Sequence, residues 1–200
     1  MNLKKHSSQK KIVLFASGSG TNAENIIRYF KNSDLAEVIA VLSNKPTAKA
    51  LTRAHDLNVK ALCFDRESFY ETNEVLHILE DINPDIIVLA GFLWLFPSKI
   101  LKKFPNRVIN LHPALLPKYG GKGMFGEQVH KSVIENKEKN TGITIHYVNE
   151  NYDDGQIIFQ TSIPVSPNET PSGLARKIHE LEYLHFPKVI ENILKTPPIE

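Results

Sequence analysis

Apolar residues along this chain fall into short continuous runs separated by longer stretches with helical spacing. The runs Lys11–Ala16, Glu37–Leu42, Val59–Phe64, Asp85–Ala90 and Arg107–Leu111 have the length and β-branched content of strands. Helix-length segments lie between them, and this alternation predicts a parallel sheet with crossover helices. Ile86-Ile87-Val88-Leu89-Ala90 is apolar at every position, as befits a strand covered by helices on both faces. After Leu111 the rhythm changes. A Gly- and Pro-rich loop from Pro113 to Gly126 precedes one helix and then two strands, Gly142–Val148 and Gln156–Ile163, which read as an appended hairpin. The polar connection Asn149–Gly155 between them has the length of a functional loop. A last helix, Pro171 to Leu194, starts after Thr170, which can cap it, with Pro171 in its first turn. The pattern specifies a single Rossmann-like α/β domain: a mostly parallel twisted sheet flanked by helices, with a C-terminal antiparallel hairpin extension.

Composition narrows the function classes. With 42% apolar and 23% charged residues over 200 positions, the chain has the makeup of one compact domain. Its net charge of +2 is too small for a nucleic-acid field, and the basic residues Lys4, Lys5, Lys10 and Lys11 fall in or beside an expected flexible tail over residues 1–10. Cys63 stands alone, which rules out an internal disulfide and fits the cytoplasm. Ile12–Ala16 is too short for a secretory apolar region, and no segment approaches the ~20 apolar residues of a membrane span.

Two sites in the sequence carry chemistry. Ser17-Gly18-Ser19-Gly20-Thr21-Asn22 joins the first strand to a helix, a place where free backbone N–H groups and the helix dipole favour an anion. With Ala23 the string also fits the loose dinucleotide pattern, but the second strand ends in Ser43-Asn44-Lys45 without the acidic ribose ligand. Gly20, Thr21 and Asn22 therefore suit a terminal monophosphate better; a tight turn with no ligand is the plain alternative. Asn110-Leu111-His112-Pro113 ends the fifth strand, at the sheet edge where α/β proteins place ligands. Residues two apart in a strand project to one side, so Asn110 and His112 can converge on one centre. An amide donor and an imidazole suit acyl transfer to an amine, in which an oxyanion is stabilised and a proton moved. Asp153 is the candidate carboxylate to hold that imidazole charged near neutrality.

The strings Asn110-Leu111-His112-Pro113-Ala114-Leu115-Leu116-Pro117 and Gly142–Gly155, with Gly18–Asn22 and Ala90-Gly91-Phe92, resemble the folate-dependent formyltransferase family from about Lys11 to Ile193. That resemblance implies a formyltransferase domain over residues 11–195. It implies 10-formyltetrahydrofolate as co-substrate and glycinamide ribonucleotide, in purine synthesis, as acceptor. A 10-formyltetrahydrofolate hydrolase or an amino-sugar nucleotide formyltransferase on the same fold are the alternatives. By resemblance Asn110, His112 and Asp153 form the catalytic trio and Gly20, Thr21 and Asn22 hold the substrate phosphate. Leu93, Trp94, Leu95 and Phe96 line the folate pocket, together with Asn110 and the loop Asn149, Glu150, Asn151, Tyr152 and Asp153. Arg66 corresponds to a folate contact and Glu182 to the carboxylate near the substrate amine and ribose. The partners implied are small molecules, without nucleic acid or membrane, for a monomer or homodimer.

Several residues invite a plainer reading. Phe96 and Trp94 can be core, Lys118 can reach an anionic group or stay solvated, and His146 on a strand reads as a satisfied histidine. His179 and His185 are six apart, whereas a zinc pair on one helical face needs a spacing of four, so no metal site is expected. The chain departs from the family in Gly120-Gly121-Lys122-Gly123-Met124-Phe125-Gly126, where a usual histidine-containing stretch is replaced by a looser loop. Asp154, beside Asp153, introduces a second carboxylate that could compete for the imidazole.

Overall fold

The computed structural model describes residues 9–196. Strands β1 (Lys10–Phe15), β2 (Ala36–Ser43), β3 (Lys60–Cys63), β4 (Ile86–Leu89) and β5 (Val108–His112) are parallel, and β6 (Asn140–Tyr147) and β7 (Ile157–Pro164) complete a seven-stranded sheet in the order β3-β2-β1-β4-β5-β6-β7. Helices α1 (Thr21–Phe30), α2 (Lys49–Asp56), α3 (Arg66–Tyr70), α4 (Glu74–Ile82), α5 (Ser98–Lys103), α6 (Glu127–Glu135) and α7 (Pro171–Lys195) flank it. The expected strands are all present, with ends displaced by one or two residues. The hairpin is more than an appendage, because β6 pairs antiparallel with β5 and carries the sheet onward. Of the expected tail, residues 1–8 lie outside the described residues, and Lys10 already belongs to β1.

Strand alternation sorts the core onto two faces. Ile12 and Leu14 of β1 join Ile26, Val88, Ile109 and Phe186 under α1 and α7, while Val13 and Phe15 join Phe69, Leu79, Ile87 and Ile100 under α3, α4 and α5. Both sets are fully buried, which is why these strands are apolar at every position. Thr170 Oγ1 accepts a hydrogen bond from the Gly173 N–H at 3.1 Å, making the predicted cap of α7. The strand order reverses between β1 and β4, so the turns leaving their C-terminal ends diverge and open a crevice there. Gly18–Asn22 leaves β1 and Gly91–Phe96 leaves β4 at that crevice. No helix among the described residues is long and apolar enough to cross a membrane.

Candidate active site

The glycine turn is shaped by what packs on it. Gly20 has φ of +71°, and an added Cβ would lie 2.4 Å from Ala50 Cα on α2. Glycine alone fits there. The Ala50 N–H reaches back to the Gly18 carbonyl at 3.2 Å, and no side chain caps α1. The first N–H groups of a ten-residue helix are therefore free to meet an anion. Asn22 donates from Nδ2 to Glu182 Oε2 at 2.8 Å, and its Oδ1 is buried with no partner among the described residues. Arg53 is tied to the Ser19 carbonyl and to Glu24.

At the end of β5, the antiparallel register sets Asn110 opposite His146 and His112 opposite Thr144. Opposed residues share a face, so β6 brings a second histidine to the pair. His146 Nε2 lies 3.1 Å from Asn110 Nδ2, which is also 3.2 Å from Asp153 Oδ1. His112 Nε2 lies 2.7 Å from the Tyr119 carbonyl, and His112 Nδ1 lies 3.5 Å from Asp153 Oδ2. Since a carbonyl only accepts, the proton sits on Nε2.

Asp153 reaches the centre from the β6–β7 loop with φ of +52°, a conformation that aspartate tolerates better than most residues. The Gly121 N–H donates to its Oδ2 at 3.0 Å. Burial pushes the Asp153 pKa up, but its polar neighbours, among them the Gly121 N–H that donates to it, outweigh this and hold the carboxyl below the usual aspartate range. For His112, burial is the largest influence and lowers its pKa, against the raising effects of Asp153 and the Tyr119 carbonyl. Against the expected charged imidazole, desolvation of a ring only 3% exposed outweighs the carboxylate and holds the His112 pKa below the ordinary histidine value. Asp154 does not compete for it, because Asp154 Oδ2 accepts from Asn149 and Asn151 in the exposed part of the loop.

A single cavity of about 870 Å³ joins the glycine turn to Asn110, His112 and Asp153, and continues along Leu93, Trp94, Leu95, Val148 and Tyr152. One end is polar and walled by a helix start; the other is apolar and aromatic. Among the described residues, no group of three His, Cys, Asp or Glu side chains could hold a metal ion.

The family model for formyl transferases matches residues 10–190. The chain belongs to the formyl transferase family. It is 34% identical over 188 residues to the chloroplastic phosphoribosylglycinamide formyltransferase of Arabidopsis thaliana, covering 91% of this chain and 64% of that relative's length. It is 33% identical over 187 residues to phosphoribosylglycinamide formyltransferase of Haemophilus influenzae, covering 91% of this chain and 86% of the relative. The solved structure of glycinamide ribonucleotide transformylase 1 from Symbiobacterium toebii superposes with a TM-score of 0.86 at 30% identity, covering 98% of this chain and 92% of that one.

Within this formyl transferase cavity the structure brings together most of the residues singled out in the sequence. Gly20, Thr21, Asn22, Leu93, Trp94, Leu95, Asn110, His112, Asn151, Tyr152, Asp153 and Glu182 all line it. Phe96 touches the wall but is 2% exposed and packs edge-on against Phe15 at 5.2 Å, so it belongs chiefly to the core. Four residues lie off the lining. Lys118 pairs with Glu138 at 2.8 Å, Glu150 accepts from Ser98, Asn149 bonds Asp154, and the Arg66 guanidinium stacks over Tyr70 at 4.9 Å and Trp94 at 5.9 Å. Arg66 thereby braces Trp94 from outside the cavity.

Three histidines were not foreseen as site residues. His146 arrives by strand register, and His130 on α6 and His179 on α7 line the cavity around the buried Glu182, whose Oε2 lies 2.8 Å from His179 Nδ1. His130 stands after the glycine loop, so a histidine does face this cavity although the loop itself lacks one. The signal available for His146 was its period-two alignment with Thr144 on a strand next to β5.

Proposed function

We propose that this formyl transferase moves the formyl group of 10-formyltetrahydrofolate to the amine of glycinamide ribonucleotide, the step of purine synthesis for which its relatives are named. The observation that carries the reading is the continuity of one cavity from the glycine turn, past Asn110, His112 and Asp153, to the aromatic wall. The α1 start with Gly20, Thr21 and Asn22 holds the acceptor's phosphate, and Glu182 with the unpartnered Asn22 Oδ1 meets its hydroxyl and amine donors. Trp94, Leu93, Leu95 and Tyr152 provide a flat apolar surface for the folate rings.

Transfer proceeds by attack of the free amine on the formyl carbon. Asn110 donates an N–H to the oxygen as it gains negative charge. Neutral His112 takes the amine proton on Nδ1, where Asp153 stabilises the imidazolium, and returns it to the leaving folate nitrogen. The Tyr119 carbonyl holds the ring in the tautomer that leaves Nδ1 open. Among the described residues that line the cavity, no serine or cysteine stands beside a base to suggest a covalent intermediate. The protein works on small molecules as a monomer or homodimer, and its free, exposed Cys63 suits the reducing cytoplasm.

The test supplies glycinamide ribonucleotide and 10-formyltetrahydrofolate to the purified protein and follows deformylated folate. Product that forms only when both are present supports the reading. Release of formate without acceptor would mark a hydrolase, and formylation of an amino-sugar nucleotide instead would move the acceptor.

A further inference from the structure

We propose that His146 is a positioning residue, which holds the nitrogen end of the Asn110 amide at the reacting centre by presenting an unprotonated Nε2. The inference rests on the role given to Asn110 above. His146 is 2% exposed, and its Nδ1 lies 2.8 Å from its neighbour's carbonyl, that of Tyr147. A carbonyl has no proton to give, so Nδ1 carries the hydrogen and Nε2 is left as an acceptor. That carbonyl cannot drift: Gly155 packs against it so tightly that an added Cβ would lie 1.7 Å from the oxygen. The tautomer of a side chain is thus fixed by backbone.

The bare Nε2 faces Asn110 Nδ2 at 3.1 Å, and Asp153 Oδ1 faces the same nitrogen at 3.2 Å. The two acceptors are 3.6 Å apart, so they subtend about 70° at Nδ2, well under the ~120° between the N–H bonds of a planar amide. In the proposed arrangement one N–H is aimed between them and serves both. The other is then available to the cavity that Asn110 lines, as a preoriented donor for an oxyanion. The shared N–H also separates the Nε2 lone pair from the carboxylate. A proton on Nε2 would reverse this: the ring would pair directly with Asp153, and the amide would turn its oxygen toward His146. The amide does not select its own orientation, whereas two acceptors crowded at one end require the nitrogen there.

Long-range proton–nitrogen correlation spectra of histidine-labelled protein at neutral pH read the tautomer directly, with the His146 signals assigned by their loss in His146→Gln. Protonated Nδ1 with bare Nε2 is expected; a proton on Nε2 overturns the proposal whether or not the enzyme transfers formyl groups. Kinetics give the second arm. His146→Leu is expected to lower kcat on the order of 10–100-fold, less than outright loss of an oxyanion donor, with both KM values changed under about threefold. His146→Gln, whose amide oxygen can replace Nε2, should recover part of the loss. In an Asn110→Ala background His146→Leu should cost less than about twofold, because its partner is gone. An undiminished loss in that background would show that His146 acts elsewhere and sink the idea. If His146→Leu does not fold, the wild-type spectrum still decides.

Discussion

Three glycines around the crevice form a graded test of how the glycine turn is built. Gly18 has an ordinary φ and nothing within 4 Å of an added Cβ. Gly91 has φ of +75° but equally open space, whereas Gly20 combines φ of +71° with Ala50 Cα at 2.4 Å and Ala50 Cβ at 2.5 Å. Gly18→Ala should therefore leave stability within about 0.5 kcal/mol of wild type. Gly91→Ala carries only the left-handed backbone cost of roughly 1–2 kcal/mol. Gly20→Ala adds an overpacking term of about 1–3 kcal/mol, because α2 must back away from the turn, for a total of roughly 2–5 kcal/mol. For a chain of this length that corresponds to a fall in Tm of about 4–20 °C. Urea unfolding of the three variants, followed by circular dichroism, measures the ladder. Gly20→Ala should also raise KM for the phosphorylated acceptor, since α1 starts at this residue. A Gly20→Ala protein no less stable than Gly91→Ala would refute the claim that close packing, and not φ alone, dictates glycine there.

Further predictions concern the charged and polar centre. Asn110→Ala should fold with wild-type spectra and lose on the order of 10²–10³ in kcat, a loss that unchanged turnover would contradict. Asp153 raises the His112 pKa against the dominant lowering by burial, so Asp153→Asn should depress it further. In the proposed mechanism neutral His112 is the active form, so the acid limb of the rate profile is expected to move to lower pH while the maximum rate falls; superimposable profiles would remove Asp153 from the mechanism. For His179, the hydrogen bond that the ring donates to Glu182 raises the folded pKa above its ordinary 6.5. The stabilisation is complete below pH 6.5 and disappears as pH rises through the raised value. The urea midpoint of wild type should exceed that of His179→Gln more at about pH 5.5 than at about pH 9, and an equal gap at both would disprove the linkage.

Much of this molecule was legible along the chain. Buried parallel strands must be apolar on both faces, so Ile12–Phe15 and Ile86–Leu89 announced themselves, and their parallel pairing followed from the alternation with helices. The glycine turn and the Asn-x-His pair were equally plain, because each depends on contacts within a few residues: a helix start in one case, a period of two in the other. What lay beyond the sequence was everything set by distant neighbours. Only the β5–β6 register delivers His146 to Asn110, and only the left-handed bend at Asp153 turns that carboxylate back to His112. Lys118 was drawn away by Glu138, and Arg66 by two aromatic faces. The downward direction of the His112 pKa was out of reach of the sequence for the same reason. A named carboxylate partner can be guessed from composition and motif, but the desolvation that opposes it is summed over all the elements that close around the ring, and it exists only once they are packed.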